Sequence, residues 1–125
     1  MHLSVLCALA HLQAIKKGFC GKKGKKKRNI SELLMLIVSE LGEACEALRT
    51  GKRQEEAIYG YKKGQLIKDT KLTRMWQKDT FEDELADVFI RLADLCKALN
   101  INIEWQIKQK LNYNETRPKK HGKKF

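Results

Sequence analysis

Five acids on two helical segments are the residues whose types and spacing could do chemistry. "SELGEACEALR" sets Glu40, Glu43 and Glu46 three residues apart, and "FEDELADVF" sets Glu84 and Asp87 three apart. On a helix an i, i+3 pair lies one above the other, so each pair can reach a single cation. Glu40 and Glu43 fall about 80° and 140° from the apolar stripe drawn through Ile37, Leu41 and Leu48. Glu84 and Asp87 fall about 70° and 130°, in the same sense, from a stripe through Leu85 and Leu92. If the two helices face each other antiparallel, these matched offsets bring four carboxylates to one side of their common plane. Gly42 and Ala86 leave room beside the acids. Carboxylates about 5 Å apart repel by a few kcal/mol per pair even at an effective dielectric of about 20. A divalent cation with oxygen ligands relieves that repulsion. The donor set favours Mg²⁺, with Mn²⁺ as the alternative, over zinc or iron. Either acid pair alone would be ordinary on a solvated helix face; the shared offset singles them out.

Four helices must position these residues. The first is predicted over 3–17, with Val5, Leu6, Leu9, Leu12 and Ile15 at helical spacing and Gly18 as its stop. The second, 30–49, starts on the capping signal Asn29…Glu32 and carries Ile30, Leu33, Leu34, Ile37, Leu41, Ala44 and Leu48. The third, 80–99, opens on "DTFED" and carries Phe81, Leu85, Val88, Phe89, Leu92, Cys96 and Leu99. The fourth, 103–114, is capped by Asn102. Strand signals are scarce. The expected fold is therefore all-α, an antiparallel bundle of about four helices in one domain over 1–125, oligomerising through helix faces. Residues 16–28 read as a mobile basic loop, 50–79 as a long connector and 117–125 as a basic tail. In the connector a helical turn is expected around Glu55–Tyr59 or Leu72–Gln77.

The formal charge of +11 is segregated. Residues 16–28 hold eight Lys or Arg and no acid, and 117–125 hold five bases and no acid, whereas the second and third helices are acidic. A chain that only coats nucleic acid has little reason for such segregation; one that holds a cation in its helices and phosphates with its connectors does. Cys7, Cys20, Cys45 and Cys96 form no C-x-x-C pair, and those at helical positions read as small buried apolar residues. No apolar run reaches membrane-spanning length, so a soluble, cytoplasmic protein is expected.

The fourth helix adds a second cluster. Ile103, Ile107, Lys110, Asn114 and Arg117 share one stripe that begins apolar and turns polar. A lysine and an asparagine on an inward stripe need partners, and phosphate oxygens fit. Trp105, on the opposite side, suggests a subunit interface.

Together "LAHLQAIKKGF", "SELGEACEALR", "FEDELADVFIRLADLC" and "NINIEWQIKQKLNYNETRPKKHGKKF" resemble the MazG-like all-α nucleoside triphosphate pyrophosphohydrolase superfamily. The likeness is to its single-domain branch with K-x-x-x-N-x-x-R and an HGK tail, and it covers nearly the whole chain except the connector. The resemblance implies Mg²⁺-dependent cleavage between the α- and β-phosphates of a nucleoside triphosphate substrate, giving monophosphate and pyrophosphate. It assigns Glu40, Glu43, Glu84 and Asp87 to the metal, and Glu43 or Glu46 to the proton of the attacking water. Lys110, Asn114 and Arg117 are assigned to phosphate and sugar, and His11 and Phe19 to the nucleotide. It further implies a homodimer or homotetramer. Cys20 departs from the aromatic that many relatives carry after Gly-Phe, so base stacking there does not carry over. Two other readings stay open: phosphoribosyl-ATP hydrolysis on the same fold, and a non-catalytic, basic nucleic-acid-binding module.

Overall fold

Helix ends in this chain are written in local side-chain chemistry. The computed structural model describes residues 1–54, 59–62, 65–68 and 76–124, and four helices carry the fold. They are α1 (Leu3–Lys16), α2 (Ile30–Arg49), α3 (Phe81–Ala98) and α4 (Ile103–Glu115). Asn29 Oδ1 accepts the Glu32 N–H at 3.2 Å to start α2, and Asn102 Oδ1 accepts the Trp105 N–H at 3.0 Å to start α4. At the start of α3, Thr80 Oγ1 accepts the Asp83 N–H while Asp83 reaches back to the Asp79 N–H. The stops are equally local. Gly18, Gly51 and Asn100 adopt positive φ directly after α1, α2 and α3. The next residue's N–H then folds back onto the helix: Phe19 to Ala14, Lys52 to Ala47 and Ile101 to Cys96.

The connector departs from expectation. Instead of a helical turn reaching Tyr59, an antiparallel hairpin pairs β1 (Tyr59–Lys62) with β2 (Gln65–Lys68), Tyr59 opposite Lys68 and Tyr61 opposite Leu66. Tyrosine, leucine and isoleucine suit a pleated strand better than a short helix. Residues 55–58 and 72–75 of the two expected turns lie outside the described residues, and Trp76 and Gln77 are not helical. The basic loop folds back on itself, its backbone hydrogen-bonded turn by turn from Gly18 to Lys26.

The chain divides into two compact units, residues 1–26 with 93–125 and residues 27–92. In the first, Cys7 and Ala10 of α1 pack with Ala93 and Cys96 of α3, and Leu6 and Ile103 close over them. In the second, α2 runs antiparallel to the first part of α3: Glu40 meets Arg91 near one end, and Lys52 O accepts the Phe81 N–H at the other. Arg53 Nε and the Gln54 N–H both bind the Glu82 carboxylate at 2.7 Å, clamping the two feet of the connector.

The buried faces are not the stripes of large apolar residues. On α2 the inward line is Leu33, Ile37, Glu40, Ala44 and Ala47, rotated about 60° from the stripe drawn on the sequence. Leu34, Val38, Leu41 and Leu48 stay exposed, as do Val5, Leu9, Leu12, Phe89, Leu92 and Leu99 elsewhere. The most deeply buried apolar residues are small, alanine and cysteine above all, and most of the large ones are left outward. Cys45 is exposed rather than buried, whereas Cys20, in the loop, is the most deeply buried of the four cysteines.

Thr80 is buried and both donates to Gln77 O and caps α3. Thr80→Ala should therefore lower stability by about 1 kcal/mol. In a thermal melt that corresponds to a midpoint drop of about 4 °C.

Candidate functional site

The rotation of α2 puts Glu40 in the middle of its inward face. Opposite it, α3 presents Glu84, Asp87, Val88 and Arg91, an i, i+3, i+4, i+7 line, while Phe89, Ile90 and Leu92 remain exposed. One carboxylate oxygen from each of Glu40, Glu84 and Asp87 lies within 4.8 Å of the others, with Glu40 and Glu84 buried and Asp87 half-buried. Ala44 and Ala47 are buried on the same face of α2 as Glu40. Gly42 is not needed to make room for the acids, since a Cβ there would meet open space.

At about 5 Å and an effective dielectric of about 20, each pair of ionised carboxylates here repels by about 3 kcal/mol. Two of the groups hold their protons more firmly than a free carboxyl does. Burial pushes the Glu84 carboxyl up, and the charges of Glu43, Asp83, Glu40 and Asp87 push it further in the same direction. Burial likewise raises Asp87, with Glu40 and Asp83 adding to it and Arg91 and Lys78 opposing. Glu40 is compensated differently. Arg91 Nε donates to its Oε1 at 2.6 Å, placing a guanidinium at the edge of the trio.

This donor set fits a hard divalent cation: three carboxylates, no thiol or imidazole, and more negative charge than one arginine offsets. A second group, Asp79, Asp83 and Glu84, shares Glu84. Asp83 is already engaged there, accepting from Trp76 Nε1 and from the Asp79 N–H, so the first trio is the better cation cradle.

The structure brings together three of the four acids that the sequence paired. Glu43 is exposed and outside the trio, yet its charge still raises Glu84. Glu46 is exposed and pairs with Arg49 at 3.2 Å, so it is not drawn to the cluster. Arg91 escaped the sequence reading, although it follows Asp87 by four residues on the same face. Asp79 and Asp83 enter the sequence reading only as part of "DTFED", the start of the third helix.

In the other unit, α4 and the turn after it gather the basic set. Lys110 Nζ lies 4.9 Å and the Arg117 guanidinium 5.8 Å from the centre of the Tyr113 ring. The N–H groups of Thr116 and Arg117 bond back to Tyr113 O and Asn114 O, which keeps Arg117 beside the helix end. Asn114 Oδ1 is buried with no hydrogen-bond partner among the described residues. Lys110 is exposed rather than inward, and Tyr113 is the residue that the sequence stripe missed. His11 Nδ1 bonds Asp94 Oδ1 at 2.8 Å, which fixes the imidazole on α1. Trp105 is exposed, as its place on the outer side of the stripe implied. Among the described residues no helix is long and apolar enough to cross a membrane.

Comparison with protein-family models, with curated proteins and with solved structures returned no match to this chain.

The raised carboxyls set a pH dependence. Without added divalent cation, the folded chain binds more protons than the unfolded chain once pH exceeds the ordinary Glu value of 4.5. Stability should therefore fall as pH rises from there through the raised pKa, then level off. Glu84→Gln should flatten the fall, and excess Mg²⁺ should restore stability above it, by about 2.7 kcal/mol at a hundred times Kd. Melting curves across pH for both proteins check this.

Proposed function

We propose that this chain is a Mg²⁺-dependent nucleoside triphosphate pyrophosphohydrolase, cleaving the α–β phosphate bond to release monophosphate and pyrophosphate. The observation that carries the reading is the trio of Glu40, Glu84 and Asp87, its oxygens within 4.8 Å of one another between two helices. A divalent cation bound there supplies Lewis-acid polarisation of phosphoryl oxygens and a more acidic bound water. Glu43, exposed at the edge of the trio and free of any ion pair among the described residues, is positioned to take the proton of the attacking water. Glu46 is the weaker candidate because Arg49 already holds it. Water adds in line, the bridging P–O bond breaks, and pyrophosphate leaves with the electron pair.

Lys110 and Arg117, in the other unit, are assigned to phosphate by the sequence resemblance alone, and their cationic side chains suit that role. Asn114 Oδ1 lacks a donor among the described residues, and a sugar hydroxyl can provide one where a phosphate oxygen cannot. His11, oriented by Asp94, is assigned to the nucleotide only by the sequence resemblance. The exposed line Leu34, Val38, Leu41 and Leu48 on α2 supports assembly as a homodimer or homotetramer, since large apolar residues at that spacing favour burial against a second helix.

The deciding experiment is a panel of canonical and modified nucleoside triphosphates and phosphoribosyl-ATP with Mg²⁺, read for pyrophosphate against orthophosphate. Pyrophosphate release should fall by about 10²-fold or more in Glu43→Ala and in Asp87→Ala while far-UV circular dichroism stays helical. Full activity in both variants sinks the reading. Separately, Leu41→Asp should shift the sedimenting species from oligomer to monomer, and a wild-type chain that sediments as a monomer removes the assembly.

A further inference from the structure

We propose that the basic loop following α1 is a docking platform for single-stranded nucleic acid, bound without base preference. Lys16, Lys17, Lys22, Lys23, Lys25 and Lys26 are exposed there, and none forms an ion pair among the described residues. No acid occurs in the chain before Glu32. Like charges at this density favour an extended, solvated segment. This segment instead folds back on itself. The Gly21 N–H bonds Gly18 O at 3.0 Å, the Gly24 N–H bonds Gly21 O at 3.3 Å, and the Lys26 N–H bonds Cys20 O at 2.8 Å. Left-handed backbone recurs at Gly18, Gly21, Gly24 and even Lys23, where a side chain disfavours it. Cys20, only 2% exposed, pins the loop down, and Ile15 lies against Gly24.

The loop thus holds unpaired cations in a fixed arrangement, and beside them Phe19 is 65% exposed. Lysines spaced along a surface with a free aromatic face are what a single strand requires, phosphates for the cations and an unstacked base for the ring. One triphosphate carries fewer charges than six lysines can neutralise, whereas a polynucleotide presents one per nucleotide. Residues 16–26 contain no Arg, Asn or Gln, and contacts to phosphate and stacking on one ring are open to every base, hence the lack of preference.

The test is fluorescence anisotropy of a labelled oligo(dT) of about 16 nucleotides with the full chain. The expected slope of log affinity against log salt is about −3, from about four phosphates. A duplex of equal length and phosphatidylserine vesicles should bind about tenfold more weakly. Replacing Lys22, Lys23, Lys25 and Lys26 by glutamine should weaken binding about tenfold or more, and Phe19→Ala about fivefold or more. Gly21→Ala keeps every charge but sets a Cβ 2.7 Å from Lys26 Cβ, so it too should weaken binding. Glu84→Gln should bind as the wild type does, which separates this inference from the hydrolase reading. Wild-type affinity in the glutamine variant, binding indifferent to salt, or tighter binding of duplex or vesicles overturns it. If the glutamine variant loses its helical circular dichroism, unchanged binding in both Phe19→Ala and Gly21→Ala overturns it instead.

Discussion

The packing of α2 against the first part of α3 is governed by a conflict between helix contact and charge. Two helices cannot approach closely without burying whatever faces the seam, and here the seam holds Glu40, Glu84 and Asp87. Burial alone penalises each carboxylate, and mutual repulsion penalises them again. Three features make the arrangement tolerable. Arg91 binds Glu40, protons are retained more firmly on Glu84 and Asp87, and Ala44 and Ala47 surround Glu40 with small buried side chains that carry no further charge. A seam built that way is electrostatically unsatisfied, which is the condition under which a divalent cation gains most by binding.

That constraint also explains why so much large apolar surface faces outward. Inward positions on α2 are taken by Leu33, Ile37, Glu40, Ala44 and Ala47, so Leu34, Val38, Leu41 and Leu48 lie off that line. The clamp made by Arg53, Gln54 and Glu82, with the backbone bond from Phe81 to Lys52, then fixes the register of α2 and α3. Sliding either helix by one turn would part Glu40 from Arg91 and break up the trio. Stability and the candidate chemistry therefore depend on the same alignment.

Much of the scaffold was legible in the sequence because it depends on local chemistry. Asn29, Thr80 and Asn102 start helices, and Gly18 and Gly51 end them, through hydrogen bonds within a few residues of chain. The acid pairs were visible for the same reason, since i, i+3 spacing is a property of one helix. The apolar stripes misled because hydrophobicity does not distinguish burial within a chain from a face reserved for another contact. Arg91 was passed over because its partner is far away in sequence. The hairpin at 59–68 was missed because its strands are short and lie among lysines.

The sequence by itself determined the helix boundaries, the charge segregation and the candidacy of four acids, all consequences of short-range geometry and composition. Only the tertiary structure decided which three acids meet and that Glu43 stands at their edge. It also decided that Arg91 meets Glu40 and that Glu82 is bound by Arg53 and Gln54. Those outcomes depend on the rotation of each helix about its own axis and on backbone bonds between separated residues. Neither is encoded in any single stretch of the chain.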